Sequence, residues 1–341
     1  MQSVIKQAVI LIGGLGTRLR PLTYQRPKAL LPLLNRPLIA YEIELFARHG
    51  IRDLIMAISY QADEIKAALG DGSRWGVRLH YVEEKERLDT AGAIKNAADL
   101  IDGPFFACNG DIVYDVDLSA MARAHLDSGA CLTLCLRRVE DVSAYGLIQC
   151  GEAGRVVAFR EKVSRDKTGR NTVNSGFYAM DPRVLQYVPQ GASYSNETQL
   201  FPGLLEAGEP VRGWLPPHEG YWSDVGRIET YLQTHTDLLR GAVSWVHPAV
   251  ACAVVDPTVR IVEPVDIADG VTIGPNCRIG PDVAIGTGCA IGEDAVVNES
   301  IIWPSSRIGR GADLSGVIVA SGAVVADGAR HADEVIMPQD A

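Results

Sequence analysis

The C-terminal third of the chain repeats an aliphatic residue at every sixth position: Ile267, Ile273, Ile279, Ile285, Ile291 and Val297, with Trp303 next in the series. Glycine follows directly at Gly274, Gly280, Gly286 and Gly292. Four residues after each aliphatic stand Val271, Cys277, Val283, Cys289, Ala295 and Ile301, all small or branched. A period of six fits neither a helix of 3.6 residues per turn nor the two-residue alternation of a lone strand. It fits short parallel strands stacked as the coils of a solenoid, each coil covering the next. The pattern predicts that Cys277 and Cys289 point inward as small core residues, in keeping with the burial habit of free cysteine.

This spacing resembles the left-handed parallel β-helix built from hexapeptide repeats; the handedness is implied by the resemblance, not by the spacing. Before it the grammar differs. "AVILI" (8–12) precedes a glycine-rich basic loop, and "PLIAYEIELFARHG" reads as a helix with Pro37 near its start and Gly50 as a stop signal. "DLIMAIS" (53–59), "RLHYVEE" (78–84) and "PFFACNGD" (104–111) read as strands. "QADEIKAALG" and "TAGAIKNAADLI" read as the helices between them. Alternating strands and helices predict an α/β domain, Rossmann-like, with a mainly parallel sheet. Ligands of such sheets bind beyond the carboxyl ends of the strands, where Gly13 and Asp111 fall. The expected division is 1–240 for this domain and 241–341 for the hexapeptide-repeat domain, with "RIETYLQTHTDLLRG" (227–241) as a helical connector.

Composition narrows the partners. A formal net charge of −10 argues against nucleic acid, whose phosphates reward basic surfaces, so phosphate chemistry here needs a local basic pocket. Seven scattered cysteines without a C-x-x-C pair suit a reducing compartment and neither a disulfide framework nor a zinc site. No stretch approaches the ~18 apolar residues of a membrane span. At the start of the chain, Lys6 precedes only a short apolar run that ends in glycines, unlike a secretory leader. The expectation is a cytoplasmic protein with no membrane partner.

The loop after "AVILI" is the chemical signal. A dinucleotide fingerprint needs a third glycine where Leu19 stands, and a P-loop needs a lysine the loop lacks. What remains is GGxGTRLxP, Gly13 to Pro21, followed by Pro27-Lys28. Glycines allow backbone N–H groups close to an anion, while Arg18 and Lys28 add charge. A turn with solvated basic residues is the plainer alternative. The stretch GGLGTRLRPLTYQRPK nevertheless resembles the signature of sugar-1-phosphate nucleotidylyltransferases. The resemblance continues through TAGAI (90–94), NGD (109–111), YGLI (145–148), EK (161–162), NSGFY (174–178) and WSDVG (222–226). The hexapeptide tail fits one branch of that family.

The resemblance implies a reaction between a nucleoside triphosphate and a sugar 1-phosphate that releases pyrophosphate. Both reactants are anions, so the protein's task is positioning and charge neutralisation, without a covalent nucleophile. It implies that Gly13, Gly14, Gly16, Thr17 and Gly92 hold the nucleotide, and that Arg18 and Lys28 neutralise its phosphates. Lys162 would grip the sugar phosphate, and Gly146, Glu161 and Asn174 the sugar. Asp111 and Asp224 would bind Mg²⁺, a hard ion that suits one or two carboxylates plus substrate phosphates. Taken alone, Asp111 also fits a turn and Asp224 a helix cap.

Base choice rests on Glu84, which stands where thymidylyl and uridylyl members carry glutamine. Guanine offers two donors on its pairing edge and a carboxylate accepts both, whereas thymine and uracil suit an amide. Glu84 therefore favours GTP, and the chain resembles mannose-1-phosphate guanylyltransferases in having both EE and a hexapeptide tail, which implies mannose 1-phosphate as the sugar and GDP-mannose as the product. A dTTP- or UTP-dependent glucose-1-phosphate enzyme is the alternative, as is a non-catalytic relative that binds nucleotide sugars. Asp89 departs from the family's usual glycine, a substitution that matters if that backbone needs φ > 0. The tail has His247 and His331 near its ends, and assembly into a homo-oligomer suits it better than acyl transfer.

Overall fold

The computed structural model describes residues 5–140, 146–160, 171–251 and 253–339. By packing, the chain divides into two compact units that alternate along the sequence. One is the chain through Gly14 together with Tyr41–Trp222; the other is Leu15–Ala40 together with Ser223–Ala341. Among the described residues, no helix is long and apolar enough to cross a membrane.

In the first unit, β1 (Gln7–Ile12) is the centre of a sheet, and Ala8, Val9 and Ile10 are fully buried. β2 (Asp53–Ile58) and β3 (Arg78–Glu83) extend the sheet to one side in parallel, and β4 (Phe105–Asn109) pairs in parallel on the other. Continuous apolar runs are what strands buried on both faces require. The register places Ile12 beside Ile58, Ile58 beside Glu83 and Leu11 beside Asn109. Gly13, Glu84 and Asp111 therefore leave the sheet at one edge, its carboxyl edge, as the alternation of elements predicts.

Helices fill the connections: α1 (Ala40–Arg48), α2 (Ala62–Leu69) closed by Gly70 at φ 64°, and α3 (Asp89–Asn96). Ala93, Ile94 and Ala97 belong to the core that also holds Val9 and Ile55. Short alanines let this helix lie close to the sheet. Beyond β4 the sheet turns antiparallel. Thr172–Met180 runs antiparallel to β4 and to the strands Leu132–Arg138 and Leu147–Cys150. Among the described residues, no α-helix separates the strands Leu132–Arg138, Leu147–Cys150 and Thr172–Met180, so the spacing that made the parallel half legible is missing here.

The second unit contains the solenoid. Among the described residues, fifteen short strands form three five-stranded parallel faces. One face stacks Val254–Val255, Thr272–Ile273, Ala290–Ile291, Arg307–Ile308 and Val324–Val325. Ile267, Ile273, Ile279, Ile285, Ile291 and Val297 all lie in its core with Val271, Val283 and Ala295. Cys277 and Cys289 are buried there as expected, their thiols directed at the carbonyls of Gly292 and Trp303. The repeat then slips. Ile285 pairs with Ile302, not with the residue six positions after Val297. The coil is one residue shorter here, so Ile302 takes the inward position. Trp303 is buried outside that core and donates its indole N–H to Tyr231 Oη at 3.0 Å.

The outward residues of the third face, Asp266, Ala284, Ile301 and Ile318, are buried too. They are covered from within the same unit. Asn35 donates to Asp266 at 2.7 Å, and Arg240 makes a two-pronged ion pair with Asp282 at 3.0 and 2.8 Å. Helix α4 (Ile228–Leu239) supplies Tyr231 and His235, both bonded to the Pro32 carbonyl. Arg26 reaches Ser321 Oγ and lies over the Trp303 ring. The basic segment that follows "AVILIGG" is thus anchored to the solenoid side of the chain.

Candidate functional site

Within the second unit the loop folds back on itself. Thr23 Oγ1 donates to the Gly16 carbonyl at 3.0 Å. A Cβ on Gly16 would lie 2.7 Å from Thr23 Cγ2 and 3.2 Å from Lys28 Cβ, at φ 60°, so this turn admits glycine and little else. Thr17 and Arg18 are exposed and Lys28 half-buried. Arg18 and Asp224, two hundred residues apart, both face the bare Cα of Gly226. A Cβ there would stand 3.0 Å from Arg18 Nη2 and 3.1 Å from Asp224 Oδ1. WSDVG therefore supplies a carboxylate and, two residues on, the space beside the guanidinium.

Within the first unit, Gly13 and Glu84 meet at the carboxyl edge. A Cβ on Gly13 would lie 3.5 Å from Glu84 Oε1, while Gly14 has open space around its Cα. Glu84 Oε2 accepts from the Leu88 amide at 3.0 Å. Burial of the carboxyl raises its pKa, with the Leu88 N–H opposing that rise. The carboxylate costs more to hold charged here than in water, and a ligand offering N–H donors would repay part of that cost. Asp89 has φ 60°, the left-handed conformation that its departure from glycine brought into question. Its side chain accepts from the Thr90 amide at 2.8 Å, the local bond that makes Asp tolerable there. Gly92 packs against backbone: a Cβ would lie 2.5 Å from the Ala192 carbonyl oxygen.

Asp111 sits half-buried in the turn after β4. The Gly110 amide donates to the Leu11 carbonyl at 2.9 Å, which ties this turn to the strand that leads into Gly13. Gly146 and Asn174 are also brought together: the Asn174 amide donates to the Gly146 carbonyl at 3.2 Å, and both line a small cavity with Glu197 and Phe159. Glu161 and Lys162 lie outside the described residues.

Sequence reasoning missed Tyr178 and Glu197. Asn174 Nδ2 donates to Tyr178 Oη at 2.8 Å, and that hydroxyl donates to Glu197 Oε1 at 3.3 Å. Ser195 and Thr90 hydroxyls donate to Glu197 Oε2 at 3.1 and 3.4 Å. "SNETQ" carries the signal of a helix start, since Ser195 caps Glu197 and Thr198, and an acidic residue in a first turn is ordinary. Only the fold shows that this carboxylate faces the cavity of Gly146 and Asn174.

Among the described residues, no group of three or more His, Cys, Asp or Glu side chains could cage a metal ion. The candidate donors are single carboxylates, one in each unit. A lone carboxylate in either unit is a hard oxygen donor of the kind Mg²⁺ takes alongside phosphates and water, and it is not the sulfur- and nitrogen-rich set that zinc prefers.

A family model described as nucleotidyl transferase matches residues 7–241, and one described as GMPPB C-terminal domain matches residues 261–341. The chain is 37% identical over 236 residues to mannose-1-phosphate guanylyltransferase of Mycobacterium tuberculosis, covering 69% of this chain and 65% of the relative. It is 31% identical over 252 residues to UTP–glucose-1-phosphate uridylyltransferase of Synechocystis, covering 70% and 63%. The catalytic subunit beta of mannose-1-phosphate guanylyltransferase from Xenopus tropicalis is 32% identical over 267 residues, 75% of this chain and 72% of the relative. The matches thus span a little under two thirds of the first two of these relatives. Among solved structures, HddC from Yersinia pseudotuberculosis complexed with GMP-PN aligns with a TM-score of 0.59 at 27% identity, over 67% of this chain and 98% of that one. With the nucleotidyl transferase model matching well over half of its length and relatives above 30% identity, the chain belongs to the nucleotidyl transferase family.

Proposed function

We propose that this protein transfers a guanylyl group from GTP to mannose 1-phosphate, forming GDP-mannose and pyrophosphate. An oxygen of the sugar phosphate attacks the α-phosphorus, and the bond from that phosphorus to the bridging α–β oxygen breaks. No proton needs to be removed from the attacking phosphate oxygen at neutral pH, so no general base is required. The Gly13–Thr17 backbone receives the triphosphate, and Arg18 and Lys28 offset the charge that grows on the departing pyrophosphate. Lys162 neutralises the sugar phosphate, which lowers the repulsion between the two anions. Gly146 and Glu161 orient the sugar with Asn174, supported by Tyr178 and Glu197. Asp111 and Asp224 would hold Mg²⁺, which supplies Lewis-acid polarisation of the phosphate oxygens when bound. The reading includes a cytoplasmic location and a homo-oligomer.

The observation that carries the choice of base is the Glu84 carboxylate beside Gly13. Guanine presents N1–H and an exocyclic amino group, and an anionic acceptor suits both. Glu84→Gln is expected to lower kcat/KM for GTP by roughly two orders of magnitude, because a site built to accept two donors loses charge and gains a competing N–H. It is expected to raise the relative rate with UTP or dTTP. Initial rates of pyrophosphate release with each triphosphate measure this; an unchanged GTP preference would remove Glu84 from base selection. The 31%-identical uridylyltransferase relative makes UTP the second substrate to test.

A further inference from the structure

The turn that presents Asp111 is pinned from a direction the sequence does not suggest. Glu42, on α1, is 1% exposed, and its Oε1 accepts a hydrogen bond from the Ile112 amide at 2.9 Å. One residue before Asp111, the Gly110 amide donates to Leu11 O at 2.9 Å. The turn is therefore held on both sides of Asp111: the Gly110 amide, one residue before it, by strand β1, and the peptide unit that follows it by a buried carboxylate seventy residues away in sequence. Ile112 is itself buried, and the left-handed Gly176 leaves the room for its Cδ1 that a Cβ would take, at 2.4 Å. Nothing about helix packing requires a carboxylate at position 42, where an apolar side chain would be cheaper to bury. The long side chain instead brings an acceptor, Oε1, to the Ile112 amide.

We propose that Glu42 is a positioning residue that holds the Asp111 carboxylate in place for a divalent cation, acting as a hydrogen-bond acceptor for the Ile112 N–H. The proposal rests on the assignment of Asp111 as a metal ligand made above. Residues that orient a metal ligand typically change affinity ten- to a hundred-fold when removed. The acceptor function separates Glu42→Gln, whose amide oxygen can still accept, from Glu42→Met, which keeps the length and loses the acceptor.

The test is Mn²⁺ binding to the full chain with GTP present, read by electron paramagnetic resonance of the free ion, with circular dichroism melts on every variant. Asp111→Asn serves as the reference. The expected result is a strong loss of Mn²⁺ affinity in Asp111→Asn, a loss of about ten-fold in Glu42→Met, and affinity within about two-fold of wild type in Glu42→Gln. The KM for Mg²⁺ should rise in parallel in Glu42→Met, while kcat at saturating Mg²⁺ stays near wild type. If Asp111→Asn loses the ion and Glu42→Met binds it as wild type does, the role of Glu42 falls and that of Asp111 stands. If Asp111→Asn binds Mn²⁺ normally, the metal assignment falls and takes this proposal with it. Should Glu42→Met not fold, Glu42→Gln decides: a ten-fold loss there would show that the charge, not the acceptor, matters, and would overturn the proposal.

Discussion

Gly176 shows how much a single position in a motif can carry. In NSGFY it reads from sequence only as part of a family signature. In the fold it has φ 79°, and a Cβ would fall 2.4 Å from Ile112 Cδ1 and 3.0 Å from Asn109 Nδ2. Gly176→Ala should therefore cost about 2–4 kcal/mol, from left-handed strain plus overpacking. Ile112→Val removes the clashing methyl, so the double variant should be less destabilised than the sum of the two single changes. Urea unfolding of the four proteins of the cycle measures this; strict additivity would mean that the two side chains do not compete for the same space. Glu84 and Asp89 are the opposite case. Both were legible as departures in "VEEKERLDTAGAI", because a carboxylate or a missing glycine at a known motif is visible without a structure. Glu42 and Glu197 were not: one lies on an amphipathic helix and the other beside a helix cap, and their partners are seventy or more residues away for Glu42 and the Thr90 bond.

Among the elements, the parallel half of the sheet follows from pattern alone. "AVILI", "DLIMAIS", "RLHYVEE" and "PFFACN" each become a strand in the expected place, and Gly50 and Gly70 both have positive φ where the helices end. The antiparallel strands and their pairings were not legible, because long-range pairing leaves little trace in local spacing. The six-residue repeat was legible to Val297 and then slipped by one residue at Trp303, where a coil shortens and an aromatic ring is needed against Tyr231. Two buried histidines carry a consequence for pH, His235 on α4 and His125 on the helix Leu118–Ser128. His235 is fully buried, bonded through Nε2 to Pro32 O, and burial lowers its pKa to about 3. His125, also buried, has its pKa lowered to about 4 by the same cause. Each folded value lies below the unfolded 6.5, so the unfolded chain binds the extra protons between the two. Their contribution is present above pH 6.5 and is lost as pH falls toward 4, at up to about 1.4 kcal/mol per pH unit for each group. The urea midpoint should drop between pH 6.5 and 4.5, and His235→Gln, which keeps a donor for Pro32, should shallow that drop. An equal slope in the variant would mean that His235 does not titrate with unfolding.

At the level of the whole molecule, linear reading and packing partition the chain differently. A change of grammar near residue 240 is plain in the sequence. Packing instead groups Leu15–Ala40 with the solenoid, since Asn35, Pro32 and Arg26 bond to Asp266, Tyr231 and Ser321. No local sequence signal announces such contacts. Within that unit Arg18 and Asp224, two hundred residues apart, lie beside the same glycine, Gly226. The most direct measurement is pyrophosphate release by the full chain with GTP, mannose 1-phosphate and Mg²⁺, with each reactant omitted in turn. Release that requires all three and is lost in Asp111→Asn is the expected result; absence of release with every pairing of GTP, UTP, dTTP, CTP and ATP with hexose 1-phosphates would contradict it.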